Sequence, residues 1–169
     1  MAATYDSIMT HTLSSATNTY TLSSIPQTYT DLVLVIGSVR EAAAGSAVAA
    51  IRYNGDTGSN YSTTYIGASG AGGLFSGRRS SDTGIWLGGM YPSRGIFILN
   101  IFNYTNATTF KTSISRQNFY GTAYEAIGSY VGLWRATPQA ITSITAYSID
   151  ISPQFDAGTT FTLYGIKAA

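Results

Sequence analysis

The chain has 169 residues and no cysteine, which suits one domain of ordinary size and excludes disulfides, thiolate metal sites and thiol nucleophiles. Its formal net charge is +1 and only 10% of its residues are charged, against about 25% in a typical domain, so neither nucleic-acid binding nor steering of charged ligands is expected. Serine and threonine fill about a quarter of the chain, and with 13 tyrosines and 18 glycines they favour strands and turns over helices.

Strands are predicted at about residues 5–13, 18–22, 31–40, 47–53, 63–66, 84–91, 95–104, 109–117, 129–136, 141–151 and 159–167. Short strands at this spacing, with turn signals between them, predict one all-β domain over residues 1–169: an antiparallel β-sandwich of jelly-roll type. Residues 1–16 would serve as an N-terminal strand or as an arm against a neighbour. Met1-Ala2-Ala3-Thr4-Tyr5-Asp6 has no basic region followed by an apolar core, so no secretory signal is expected. No stretch reaches the roughly 18 apolar residues of a membrane-spanning helix.

Ile25-Pro26-Gln27 separates the second strand from the third, whose Leu32-Val33-Leu34-Val35-Ile36 is an unbroken apolar run. The alanine-rich stretch from Glu41 to Ala50 is interrupted by Gly45 and Ser46 and reads as a loop leading into a strand. Asn54-Gly55-Asp56-Thr57-Gly58 tolerates positive φ and reads as a turn. The segment from Gly67 to Asp82 is the longest without a strand pattern and is expected to be an exposed mobile loop, able to act as a flexible tip or a partner-binding arm. Ile96 to Phe102 is a second apolar run, and Thr137-Pro138 and Ser152-Pro153 place proline where no ladder donor is needed.

In the last strand Phe161 and Leu163 point one way while Tyr164 and Ile166 point the other. Three strands apolar on both faces need cover on both, and a two-layer domain has no third layer, so a neighbouring subunit is the expected cover. Tyr164 and Ile166 are the first interface candidates. Arg78 and Arg79 join them as the densest positive charge, able to meet an acidic partner surface.

Sites for chemistry are sparse. The single histidine, His11, sits in the polar Thr10-His11-Thr12 and reads as an exposed strand residue rather than a catalytic base. The acids Asp6, Asp31, Glu41, Asp56, Asp82, Glu125, Asp150 and Asp156 fall mostly at turns or strand ends, offer no pair to name as acid and base, and have no metal-ligand spacing. The glycines from Gly67 to Gly77 lack the lysine and the βαβ context of a phosphate loop. Asn60-Tyr61-Ser62, Asn103-Tyr104-Thr105 and Asn106-Ala107-Thr108 match the glycosylation pattern by chance in so polar a chain. Tyr61, Tyr65, Tyr91, Tyr104, Tyr120, Tyr124 and Tyr130 lie near turns and strand ends, where tyrosine can stack on sugars or on a protein partner as readily as it fills a strand position.

The opening Tyr5-Asp6-Ser7-Ile8, then Thr12-Leu13-Ser14-Ser15-Ala16 and the segment from Leu22 to Leu32, are followed by Tyr53 to Ser62 and the ending Leu163-Tyr164-Gly165-Ile166. In order and spacing these resemble small virion structural proteins of tailed bacteriophages, annotated in general as tail or minor capsid and decoration proteins. Residues 67–95 match least. The resemblance implies a building block, with no catalytic residue and no cofactor. The expected function is that of a non-enzymatic, homotrimeric capsid cement or decoration protein, bound to the phage major capsid protein and stabilising the head. The alternative is a tail-fibre or tail-tip domain that joins tail proteins and binds host surface glycan through loop-end tyrosines, and a carbohydrate-active depolymerase comes third. The expected location is the virion, after synthesis in the host cytoplasm, with no nucleic-acid or membrane partner.

Overall fold

The computed structural model describes residues 4–39, 47–70, 72–91, 94–120, 126–149 and 155–167. Met1 to Ala3, most of the alanine-rich stretch with Glu41, and Tyr124, Glu125, Asp150 and Ser152-Pro153 lie outside the described residues.

All regular structure among the described residues is β. The strands are β1 (Tyr5–Thr12), β2 (Thr19–Leu22), β3 (Asp31–Val39), β4 (Ala47–Tyr53), β5 (Tyr61–Ser69), β6 (Leu74–Asp82), β7 (Ile85–Met90), β8 (Gly95–Ile101), β9 (Lys111–Phe119), β10 (Ala126–Trp134), β11 (Ile144–Ser148) and β12 (Thr160–Ile166). They form two antiparallel sheets, one of eight strands in the order β1-β12-β3-β8-β9-β10-β5-β6 and one of four in the order β2-β11-β4-β7. The β-sandwich class is therefore as the turn spacing predicts. The division is uneven, eight and four, whereas a jelly roll has eight strands in two Greek keys.

Period-two burial builds the core between the sheets. Leu32, Leu34 and Ile36 of β3, Phe97, Leu99 and Ile101 of β8, and Phe161 and Leu163 of β12 are all buried, as are Ile51, Ile85 and Leu87 from the small sheet. Each such side chain contributes about 1.5–3 kcal/mol by leaving water. The two layers approach closely where β7 lies over β10: a Cβ at Gly132 would stand 2.4 Å from Ile85 Cγ2, so only glycine permits this approach.

The Gly67–Asp82 expectation is corrected. These residues complete β5 and then form β6, an edge strand paired along its length with β5. The hairpin closes through Ser69 N donating to Gly73 O at 2.8 Å, with Gly72 at φ +77°. Gly77 leaves room for the Tyr65 ring, since a Cβ there would lie 2.6 Å from its Oη. Glycine, serine and arginine hide the strand pattern, and they also suit an edge, where charge discourages pairing with another chain.

The Asn54–Asn60 turn clips the two sheets together. Asn54 and Gly55 take φ of +51° and +69°, and Asp56 N donates to Tyr53 O at 2.9 Å. Asp56 Oδ2 accepts from Trp134 Nε1 at 2.7 Å and from Asn60 Nδ2 at 2.9 Å, while Oδ1 accepts from Gly58 N at 2.8 Å. Burial alone would push the Asp56 pKa up, but these hydrogen bonds and the charge of Arg52 outweigh it, and the net shift is downward. A depressed carboxylate stabilises the fold fully above its unfolded pKa of about 3.9 and loses that contribution as pH falls through the folded value. In urea melts from neutral pH downward, Asp56→Asn is thus expected to be less stable than the parent at pH 7, with the gap narrowing below about pH 4. A gap that stayed constant with pH would remove the charge from this account.

Candidate functional site

The large sheet has an inner face against the core and an outward face that mixes apolar side chains with uncharged polar ones and the cations Arg78 and Arg116. Register places Tyr164, Val33, Asn100, Ile114, Val131, Thr64 and Arg78 in one row across seven strands. A second row runs through Thr162, Val35, Ile98, Arg116, Ser129, Ile66 and Ser76. Toward the β6 edge the apolar side chains stand clear of the sheet: Leu74 is 87% exposed, Ile66 66%, Ile127 62% and Val131 51%. Isolated exposed aliphatics are common, but four on three neighbouring strands make a patch.

Of the sequence-predicted interface residues, Tyr164 and Ile166 lie on this outward face at its opposite end and are half-buried. The Tyr164 ring meets Tyr5 edge-on at 6.5 Å. Arg78 and Arg79 are parted by strand alternation. Arg78 points outward in the row of Val131, whereas Arg79 turns inward, its guanidinium 4.0 Å above the Trp86 ring and its Nε 2.7 Å from Asp82 Oδ2. Ile66, Leu74, Ile127 and Val131 are not marked out as interface residues by the sequence. The alternation Ile127-Ser129-Val131-Leu133 was the available signal.

The second feature is a cleft of about 320 Å³ between the sheets, lined by Tyr65, Phe75, Trp86, Tyr91, Gln117 and Tyr130 over a floor of Gly88 and Gly89. Pairing of Tyr65 with Tyr130 sets two rings side by side at 5.5 Å, and Trp86 stacks on Tyr65 at 6.3 Å with 12° between planes. A bulge aims Trp86: the partner of β4 jumps from Gly88 to Trp86, skipping Leu87. Gly88 at φ +128° leaves space that Gln117 Oε1 fills, for a Cβ there would be 1.8 Å from that oxygen. Gln117 Oε1 and Trp86 Nε1 are both buried with no hydrogen-bond partner among the described residues.

The structure thus brings Tyr65, Tyr91 and Tyr130 together. Tyr61 and Tyr104 are core residues instead, Tyr61 Oη donating to Asp56 O at 3.1 Å and Tyr104 Oη to Pro26 O. Tyr120 is 80% exposed. Burial raises the phenol pKa of Tyr61, Tyr91 and Tyr130, so these rings act at neutral pH as uncharged surfaces.

His11 is exposed on β1 and stacks on Tyr20 at 4.5 Å. The described acids hold structure: Asp6 pairs with Lys167, Asp31 Oδ1 accepts from Asn103 N, Asp82 pairs with Arg79, and Asp156 Oδ1 accepts from Ala157 N. No group of three or more potential metal ligands occurs among the described residues.

No family model matches the chain, and no curated protein matches it. Among solved structures it aligns with a scytalido-glutamic peptidase bound to a transition-state analogue inhibitor, at 11% identity over 91% of this chain and 66% of that one, with a TM-score of 0.24. It also aligns with a structure of infectious bursal disease virus Gx strain, at 14% identity over 96% of this chain and 39% of that one, with a TM-score of 0.18. The chain spans less than two thirds of the length of either. Similarity this low carries no functional inference.

Proposed function

We propose that this is a non-enzymatic virion structural protein of a tailed bacteriophage, a homotrimeric cement or decoration protein on the head. The observation that supports it is the exposed aliphatic patch of Ile66, Leu74, Ile127 and Val131 on the outward face of the large sheet. In this reading copies of the chain bury that face against one another, with Arg78 at the rim free to meet an acidic group on the major capsid protein. About 800 Å² per partner makes one stable contact. Binding would come from burial of apolar and uncharged polar surface, in keeping with the low charge of the chain.

A tail position is the second reading, favoured by the aromatic cleft. Electron microscopy of intact virions carrying a tagged copy separates the two. Label distributed over the head is expected, and label at the tail alone would contradict the cement role.

A further inference from the structure

We propose that the cleft between β5, β7 and β10 is a binding site for an uncharged saccharide. This site lies on the inner side of the large sheet, opposite the proposed assembly face, so it operates with either virion position.

Three observations converge on that ligand class. First, the lining includes the rings of Tyr65, Phe75, Trp86, Tyr91 and Tyr130; Tyr65 already stacks on Trp86 and Tyr130 and Arg79 covers one face of Trp86, so the C–H face of a pyranose packs on the ring surface that these contacts leave to the cleft. Second, beside those rings lie one unmet acceptor, Gln117 Oε1, and one unmet donor, Trp86 Nε1. Leaving both buried and unpaired costs free energy that a ligand can recover. A sugar hydroxyl both donates and accepts, so this ligand class is matched to an acceptor and a donor alike. A proline-rich peptide, the other usual occupant of aromatic grooves, offers chiefly acceptors and leaves Gln117 Oε1 unmet. Third, no charged side chain is among the described residues that line the cleft, and Arg79, whose guanidinium lies 4.0 Å over the Trp86 ring, is paired with Asp82.

The cavity, at about 320 Å³, is at the small end of the ~300–1,000 Å³ typical of ligand pockets. It holds a mono- or disaccharide unit, not a long chain. Gly88 is part of the design, since any side chain there would displace the Gln117 carboxamide.

The two tryptophans of the chain make the test specific, because Trp86 lines the cleft and Trp134 lies in the core. Fluorotryptophan-labelled protein, titrated with maltose, cellobiose and chitobiose and followed by fluorine NMR, is expected to show a saturating shift of the Trp86 resonance with at least one sugar. Trp134 should stay fixed. Gln117→Leu should weaken that binding about tenfold, the loss of one buried hydrogen bond. Tyr65→Ala should weaken it further, with the unmoved Trp134 resonance reporting an intact core. No saturable shift with any of the three sugars, full binding by Gln117→Leu, or saturation by an oligoproline peptide alone would overturn the assignment. The oligomeric state is untouched by any of these outcomes, so failure here is distinct from failure of the assembly proposal.

Discussion

Leu163→Asp is expected to leave no folded protein. Leu163 is fully buried on β12, which pairs with β1 on one side and β3 on the other, and it belongs to the same core as Leu34 and Phe161. An aspartate there would be an unpaired buried charge, costing several kcal/mol even after relaxation, and the lost leucine packing adds about 2–5 kcal/mol. Together these rival the ~5–15 kcal/mol total stability of a domain. Loss of the cooperative thermal transition checks it. A variant that melted within a few degrees of the parent would mean that the inner face of β12 is not core.

Val131→Asp is expected to do the reverse, keeping the fold and abolishing assembly. Its side chain is 51% exposed on the outward face, so a carboxylate there stays hydrated in the isolated subunit, and stability should move by about 0.5 kcal/mol or less. In a subunit contact the same carboxylate would be desolvated without a partner, a cost of several kcal/mol and hence a loss of affinity of at least a hundredfold. Ile166→Asp, half-buried at the far end of the face, should weaken assembly less. Thermal melts paired with sedimentation velocity separate the effects. Unchanged assembly in Val131→Asp would move the contact away from this face.

Much of the fold was legible because β3, β8 and β12 carry runs whose apolar character exceeds anything a loop needs, and because Asn54-Gly55 spells its turn. Edge strand β6 was not legible. Its inward positions are Phe75, Gly77 and Arg79, and the glycine is there to receive a ring from β5 that no local pattern foretells. The two faces were likewise only half visible. Alternation in β12 separates Leu163 from Tyr164, but the prominence of Ile66, Leu74 and Ile127 depends on which strands lie at the sheet margin. Tyrosine content pointed to Tyr65, Tyr91 and Tyr130 by type. Their meeting with Trp86 and Gln117 required the β5-β10-β9 register and the bulge in β7, both properties of pairing at a distance.

Arg78 and Arg79 show the same limit at one residue's resolution. Adjacent in sequence, they read as one basic patch; on a strand they face opposite ways, and Arg79 is spent on Trp86 and Asp82. Of the two, Arg78 alone lies on the face proposed for assembly, where Arg116 of β9 also stands.

Sedimentation velocity of the unmodified protein across the micromolar range tests self-assembly through the outward face most directly. A species of three times the 17.9 kDa chain mass, dissociating on dilution or in Val131→Asp, is the predicted result. A single species at the chain mass throughout that range would contradict it.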